Sequence, residues 1–308
     1  MTPLFVSSGD LIADRRYKWA IDHAQRGDLA GAADILVQTL ALAPAFATAW
    51  FALATIRDAL GDRGGAVAAF ERASAADPED YHGARLHLAR LGAGNATPDM
   101  TATYVRRLFD QHAPDFDTAM LERLDYRGPQ LLLDAVKAIA KPLRFGTMLD
   151  LGCGTGLGGA AFRPFVDWLV GVDISRAMIE QARHKGLYDR LAAQDLLAFL
   201  AEDAVNHAQY HLVVAADVFV YVNDLAPVFT AVARVLAPGG VFAFTVETHD
   251  GGGVRLQPTL RYAHGADHVR AVLDGAVLTL LHLAAASTRT EKSVPVDGLV
   301  VVARHGGR

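Results

Sequence analysis

The chain has a single cysteine, Cys153, among its 308 residues. That excludes an intramolecular disulfide framework and fits a reducing compartment. It has no surplus of positive charge. The 29 Lys and Arg stand against 34 Asp and Glu for a net charge of −5, so nothing favours nucleic acid, whose phosphates need a basic face. Apolar runs near the roughly 18 residues required to span a membrane are also missing; Leu212 to Val222, among the longest, is broken by Asp217. The opening MTPLFVSSGDLIADRR lacks a basic segment followed by an apolar one and does not read as a signal peptide. Among 12 histidines no metal spacing stands out; His264 and His268 share an i, i+4 relation but have no third ligand, so no metal is expected. These absences leave a cytoplasmic protein with neither membrane nor nucleic-acid partner as the expectation. What the chain does have is 52% hydrophobic residues, enough for substantial cores, and a length that favours two domains.

The first ninety residues repeat. Pro44 and Pro78 lie 34 residues apart, as do Ala32 and Ala66, and Leu36 and Phe70. Trp50, Leu53, Ala54, Ala66, Phe70, Ala73 and Pro78 make the fuller copy; Trp19, Ala20, Ala32, Leu36 and Pro44 make a looser one. Small residues such as Ala54 and Ala66 let paired helices approach closely, and the prolines end the second helix of each pair. Gly27-Asp28 and Gly61-Asp62 supply the turns within pairs. The segment resembles tetratricopeptide repeats, which implies an all-α module over residues 1–92, with Tyr81 to Leu91 as a capping helix. The uses are a groove for a peptide or protein partner, or, as the preferred plainer reading, a dimerisation or scaffolding module or part of the wall of the active site.

From residue 147 the rhythm changes to short β-branched runs alternating with helical stretches: Thr147–Leu151, Trp168–Val172, Arg190–Ala193, His211–Ala216, Val241–Val246, Ala276–Ala286 and Val296–Ala303. The first four end at Asp150, Asp173, Asp195 and Asp217, spaced 23, 22 and 22 residues. That beat is one strand plus a crossover helix, so an α/β, doubly wound, mostly parallel seven-stranded sheet is expected. Right-handed crossovers put every strand's C-terminal end on one rim, where ligands bind. The last two strands, joined through Thr290–Ser293, should form an antiparallel edge hairpin. Each aspartate taken alone reads as a helix N-cap; four at successive strand ends beside a glycine loop read as a site.

That loop is Met148-Leu-Asp150-Leu-Gly152-Cys-Gly154-Thr-Gly156. Glycines there let backbone turn sharply and approach a ligand. A dinucleotide loop would want glycine at position 157, which is Leu157. The acid two residues before Gly152 suits a cationic ligand better than a pyrophosphate. LDLGCGTG, VGVDIS, AAQDLL, LVVAADVFVYV and LAPGGVFAFTVE, in that order, resemble the motifs of class I S-adenosylmethionine-dependent methyltransferases, and the likeness covers about residues 100–304. It implies a Rossmann-like domain over 131–308 that binds S-adenosylmethionine and releases S-adenosylhomocysteine. By position, Asp150, Gly152, Cys153 and Gly154 would face the methionine part of the cofactor. Asp173 would take the ribose hydroxyls, Ile174 and Met178 the adenine ring, Asp195 and Leu196 its amino edge, and Asp217 would lie near the sulfonium.

Residues 93–130 read as linker and amphipathic, aromatic helix, resembling the helical lid of bacterial small-molecule methyltransferases linked to tetratricopeptide repeats. The likeness implies that Tyr104, Phe109 and Phe116 close over substrate while Tyr126 and Arg127 reach the cofactor's carboxylate end. Phe219 and Tyr221, after the fourth strand, are further substrate candidates. After the fifth strand, Glu247 and His249 are candidate bases. Arg261, Tyr262 and His264 crowd a stretch, Thr248–His268, that reads as a mobile substrate loop around Gly251-Gly-Gly253. The expected function is methyl transfer to a small molecule at O, N or a carboxylate. The alternatives are an interaction protein working through its repeats, and methylation of a peptide or protein that the repeats deliver.

Overall fold

The computed structural model describes residues 5–140 and 143–306, so Met1–Leu4 of the opening stretch lie outside the described residues. The chain divides into two compact units. One holds the described residues up to Tyr104 together with Pro258–Leu260; the other holds Val105–Gln257 and the described residues from Arg261 onward. No helix among the described residues is long and apolar enough to cross a membrane.

The first unit is helical: α1 (Leu11–Gln25), α2 (Leu29–Leu42), α3 (Ala47–Ala59), α4 (Arg63–Ala76) and the short α5 (Ala84–Arg90). The 34-residue kinship recurs in its geometry. Gly27 and Gly61 both have positive φ, 87° and 79°. Asp28 and Asp62 each accept an N–H three residues on, from Gly31 and Gly65, both at 2.9 Å. These are side-chain N-caps that satisfy an otherwise orphaned donor. Tyr17, Ala20, Leu36, Phe51, Ala54, Phe70 and Ala73 belong to one shared core.

The second unit begins in α6 (Ala102–His112), passes through a 3-10 turn, the single turn α7 (Phe116–Thr118) and a wider turn at Ala119–Arg123, and reaches α8 (Gly128–Ile139). Then come β1 (Phe145–Leu151), α9 (Leu157–Phe162), β2 (Val166–Asp173), α10 (Arg176–Lys185), β3 (Arg190–Ala193), α11 (Leu196–Val205), β4 (Tyr210–Ala215), α12 (Ala226–Val235) and β5 (Leu236–Glu247). After β5 follow β6 (Val254–Leu256), β7 (Tyr262–His264), α13 (Ala266–Gly275), β8 (Leu278–Ala285), β9 (Thr290–Glu291), β10 (Val294–Pro295) and β11 (Gly298–His305).

The main sheet runs β3-β2-β1-β4-β5-β11-β8, parallel except for β11 and β8. Alternating residues serve opposite faces. Leu149, Val213, Phe242 and Val301 pack with α11, α12 and α13, while Met148, Leu212, Ala243 and Val300 pack with α8 and α9. A strand buried on both sides reads as a near-continuous apolar run, as these do. Two expectations are corrected. The sheet gains two short strands beyond the seven, because Thr248–His268 is no loose loop: β6 and β7 pair there, and β7 adds to β5 through Glu247 and Ala263. The connection through Thr290–Ser293 is itself paired, as β9 and β10.

Candidate active site

Parallel β1, β2, β3 and β4 carry Asp150, Asp173, Asp195 and Asp217 to one rim. The turn after β1 is pinned to β2: the N–H groups of Gly152 and Cys153 donate to the Val172 carbonyl at 2.8 and 2.9 Å. Gly154 donates to Asp173 Oδ2 at 2.9 Å. Gly152 and Gly154 have φ of 72° and 53°, which side chains with a Cβ rarely adopt. Their roles differ. A Cβ on Gly152 would lie 2.5 Å from Val218, whereas on Gly154 the nearest atom, Phe116 Cε1, would be 3.9 Å away. Gly152 therefore serves protein packing, and Gly154 leaves room for a ligand against the backbone.

Asp173 Oδ1 accepts from Ser175 N–H at 2.8 Å, so one lone pair on each oxygen holds the turn and others remain to accept. Burial pushes its carboxyl up to about 6, against the backbone hydrogen bonds that favour the charge. Burial does the same to Asp150, also to about 6, with the charge of Asp173 adding to it. Asp150 Oδ2 accepts from Tyr188 Oη at 2.6 Å, and that hydroxyl accepts from Gly159 N–H at 3.1 Å. Sequence reasoning missed Tyr188. Its signal was present in glycines: a Cβ on Gly171 would lie 2.7 Å from the Tyr188 ring, and one on Gly159 would meet the hydroxyl. The Cys153 thiol is buried and raised well above its ordinary value by burial, then by Asp150 and Asp173, so it presents no nucleophile.

Asp195 is exposed and caps α11, its Oδ1 accepting from Leu197 and Ala198. Ile174 is half-buried beside Asp173, and Leu196 half-buried beside Asp195. Met178, expected against adenine, is wholly enclosed.

Within this unit the aromatic helical segment lies against the glycine turn. Asp117 accepts from Thr155 and pairs with Lys185, and Asp110 accepts from Ser175. Phe109 meets Phe116 and Tyr221 with ring centroids 6.3 and 5.1 Å apart. Burial, then Asp217, raises the Tyr126 phenol well above its usual range. Arg127 is exposed and engages the Thr288 carbonyl through its backbone N–H. Tyr104 belongs to the N-terminal unit, where its ring lies against Gly83.

The acceptor-side candidates are mostly enclosed or engaged by protein partners. Phe219 and Tyr262 are fully buried, Phe219 among Phe229, Phe242 and Phe244. Asp217, on the same rim, is held by Thr245, Thr288 and Arg289. Glu247 lies between the guanidinium groups of Arg261 and Arg289, and Glu291 bridges the same two arginines. Arg289, only 6% exposed as a side chain, is the hub that sequence reasoning did not find; a lone arginine in a polar connecting stretch gives no local sign of burial.

His249 is half-buried, and its Nδ1 accepts from Gly251 N–H at 3.0 Å. With Nδ1 accepting, a neutral ring carries its proton on Nε2, which is buried without a partner among the described residues. His264 is fully buried, with Nε2 3.2 Å from the Phe219 carbonyl, and burial lowers its pKa to about 4. It stacks on His268, centroids 5.7 Å apart. No group of His, Cys, Asp and Glu among the described residues has the arrangement to hold a metal ion.

The arrangement of strand-end carboxylates and an open glycine turn coincides with a family signature. Residues 149–244 match the Methyltransferase domain family. The human methyltransferase-like protein 27 is 40% identical over 106 residues, 34% of this chain and 42% of that protein. The malonyl-[acyl-carrier protein] O-methyltransferase of Salmonella typhimurium is 31% identical over 113 residues, 36% of this chain and 43% of the enzyme. The matches thus span less than half the length of these curated relatives. Among solved structures, N-methyltransferase NodS from Bradyrhizobium japonicum in complex with S-adenosyl-L-homocysteine is 21% identical, with a TM-score of 0.51 over 65% of this chain and 98% of that one. This likeness shows the methyltransferase fold of the second unit.

Proposed function

We propose that the chain transfers a methyl group from S-adenosylmethionine to a small-molecule acceptor at O, N or a carboxylate, releasing S-adenosylhomocysteine. The observation that carries this reading is the pair of buried carboxylates, Asp150 and Asp173, flanking a glycine turn that is open at Gly154. The family match over residues 149–244 supports it. The residues present fit the cofactor. Asp173 offers two oxygens to a vicinal diol, Gly154 offers close backbone approach, and half-buried Ile174 offers an apolar surface for the adenine ring.

What S-adenosylmethionine supplies when bound is an electrophilic methyl group on a positively charged sulfur. The chain has to hold an acceptor in line and exclude water. Phe109, Phe116 and Tyr221 present the apolar and aromatic surface for this, and Asp117 and Asp110 tie their segment down. Glu247 is held between two arginines and His249 presents a donor, so the chain relies on positioning, which suits an acceptor that need not lose a proton early. The recurring caps at Asp28 and Asp62 support reading the N-terminal helices as tetratricopeptide repeats.

Titration calorimetry tests the reading. S-Adenosylmethionine and S-adenosylhomocysteine should bind with micromolar affinity, and Asp173→Ala should weaken both by at least about tenfold, the worth of a charge-assisted hydrogen bond. Equal affinity in that variant would sink the assignment. The interaction-protein alternative has no observation in its favour.

A further inference from the structure

Shifted by 34 residues, α1 superposes in sequence on α3. On one face the two helices agree: Tyr17 and Ala20 correspond to Phe51 and Ala54, all buried. On a second face they do not. Phe46, Ala49, Leu53 and Ile56, exposed by only 3, 0, 1 and 6%, form one ridge, since i, i+3, i+7 and i+10 share a helix stripe. Phe46 meets Tyr17 with centroids 5.5 Å apart, so this ridge faces the preceding helix pair. Its counterparts in α1 are Ile12, Arg15, Trp19 and Asp22. Ile12 is 64% and Trp19 55% exposed, and Arg15 and Asp22 are exposed too. The ridge that α3 buries under a helical neighbour is exposed in α1, with no helix among the described residues packed over it.

We infer that the Ile12-Arg15-Trp19-Asp22 ridge is the seat for the same ridge of a second copy of this chain, packed antiparallel about a two-fold axis. The charge pattern selects this occupant. In an antiparallel pair centred beside Trp19, Arg15 of one copy stands opposite Asp22 of the other, and the reverse, giving two ion pairs around a tryptophan-rich centre. Neither residue makes an ion pair with a described residue of its own chain. A peptide of one charge sign would satisfy only one of the two, and a parallel pairing would set Arg15 against Arg15. Exposed tryptophan is the side chain most enriched at binding hot spots, and a two-fold contact of one patch with itself is the commonest way chains associate.

The test is sedimentation equilibrium of the full chain over about 1 to 200 µM, the range in which a modest interface reports itself. The wild type should show a monomer–dimer equilibrium that weakens at high salt. Arg15→Asp and Asp22→Arg should each weaken association about tenfold, because each opposes like charges twice. The double variant R15D/D22R should restore it, because the pairs are re-formed with signs exchanged. Trp19→Ala should abolish association while circular dichroism and the melting temperature stay unchanged, as expected for an exposed side chain. A chain that stays monomeric throughout the range overturns the proposal. So does association indifferent to these substitutions, or a double variant no better than the singles.

Discussion

Three carboxylates converge on one guanidinium: Asp217, Glu247 and Glu291 all contact Arg289. Burial works against the charge of Arg289, and the carboxylates more than compensate, so its pKa lies above the ordinary arginine value. Removing it leaves Asp217 and Glu247 with less charge compensation inside the fold. Arg289→Met is therefore expected to cost about 3 to 5 kcal/mol, the usual loss when one partner of a buried ion pair is taken away. Urea denaturation measures this, and a loss under about 1 kcal/mol would show that water reaches the cluster and solvates it. Tyr188→Phe deletes the donor to Asp150 without changing ring packing. Losing a hydrogen bond to a buried charged group should destabilise the chain by about 1 to 3 kcal/mol at pH 8. It should cost less at pH 5, where Asp150 is largely protonated and no longer needs a donor to stabilise charge. Equal loss at both values would mean that Tyr188 acts by packing alone.

At the scale of elements, short range and long range divide the work. The turns that open α2 and α4 are local devices, each a positive-φ glycine followed by a capping aspartate. Asp28→Ala and Asp62→Ala should each lower the melting temperature, because each leaves a first-turn N–H without its acceptor, and a thermal melt that separates them widely would break the equivalence of the two pairs. The glycines of α9 act at a distance. Gly159 has ordinary helical backbone, yet a Cβ there would run into the Tyr188 hydroxyl. Gly159→Ala should displace Tyr188, release Asp150 and weaken S-adenosylhomocysteine binding more than it lowers the melting temperature. Unaltered binding would show that Asp150 keeps its place unaided.

For the whole molecule the consequence is a pH dependence with a definite sign. Asp150 and Asp173 both titrate near 6 in the folded chain, above the ordinary 3.8. Between those values the folded chain holds protons that the unfolded chain has released. Their contribution to stability is therefore full below about pH 4, falls as pH rises toward 6 and is level above, by roughly 2 to 3 kcal/mol for each group. Comparing denaturation of the wild type with Asp150→Asn at pH 5 and 7 isolates the effect: the asparagine variant should gain on the wild type as pH rises. Cofactor binding runs the other way, since a diol donates to carboxylate rather than to carboxylic acid. Affinity should rise from pH 5 to 7, with proton release in calorimetry near pH 6. Binding without proton release there would mean that one or both groups are already ionised.

The layout was largely legible because its causes are local in sequence. The beat of strand and helix, the alternation along strands that feeds two cores, and the glycine turn after Asp150 each follow from neighbouring residues and the periods of backbone geometry. So do the turns at Gly27-Asp28 and Gly61-Asp62, and the aspartates that end β2 and precede α11. Tertiary structure decided which polar groups were free to act. Asp217, Glu247, Arg261 and Arg289 look alike on paper, as exposed polar residues on loops do. Only the approach of the β8–β11 connection to the ends of β4 and β5 turns them into one neutralised cluster. The same holds for Phe219, Tyr262 and His264, whose burial depends on elements far away in the chain. A sequence records which charges a chain carries; which of them meet is fixed by contacts between residues that it holds dozens of positions apart.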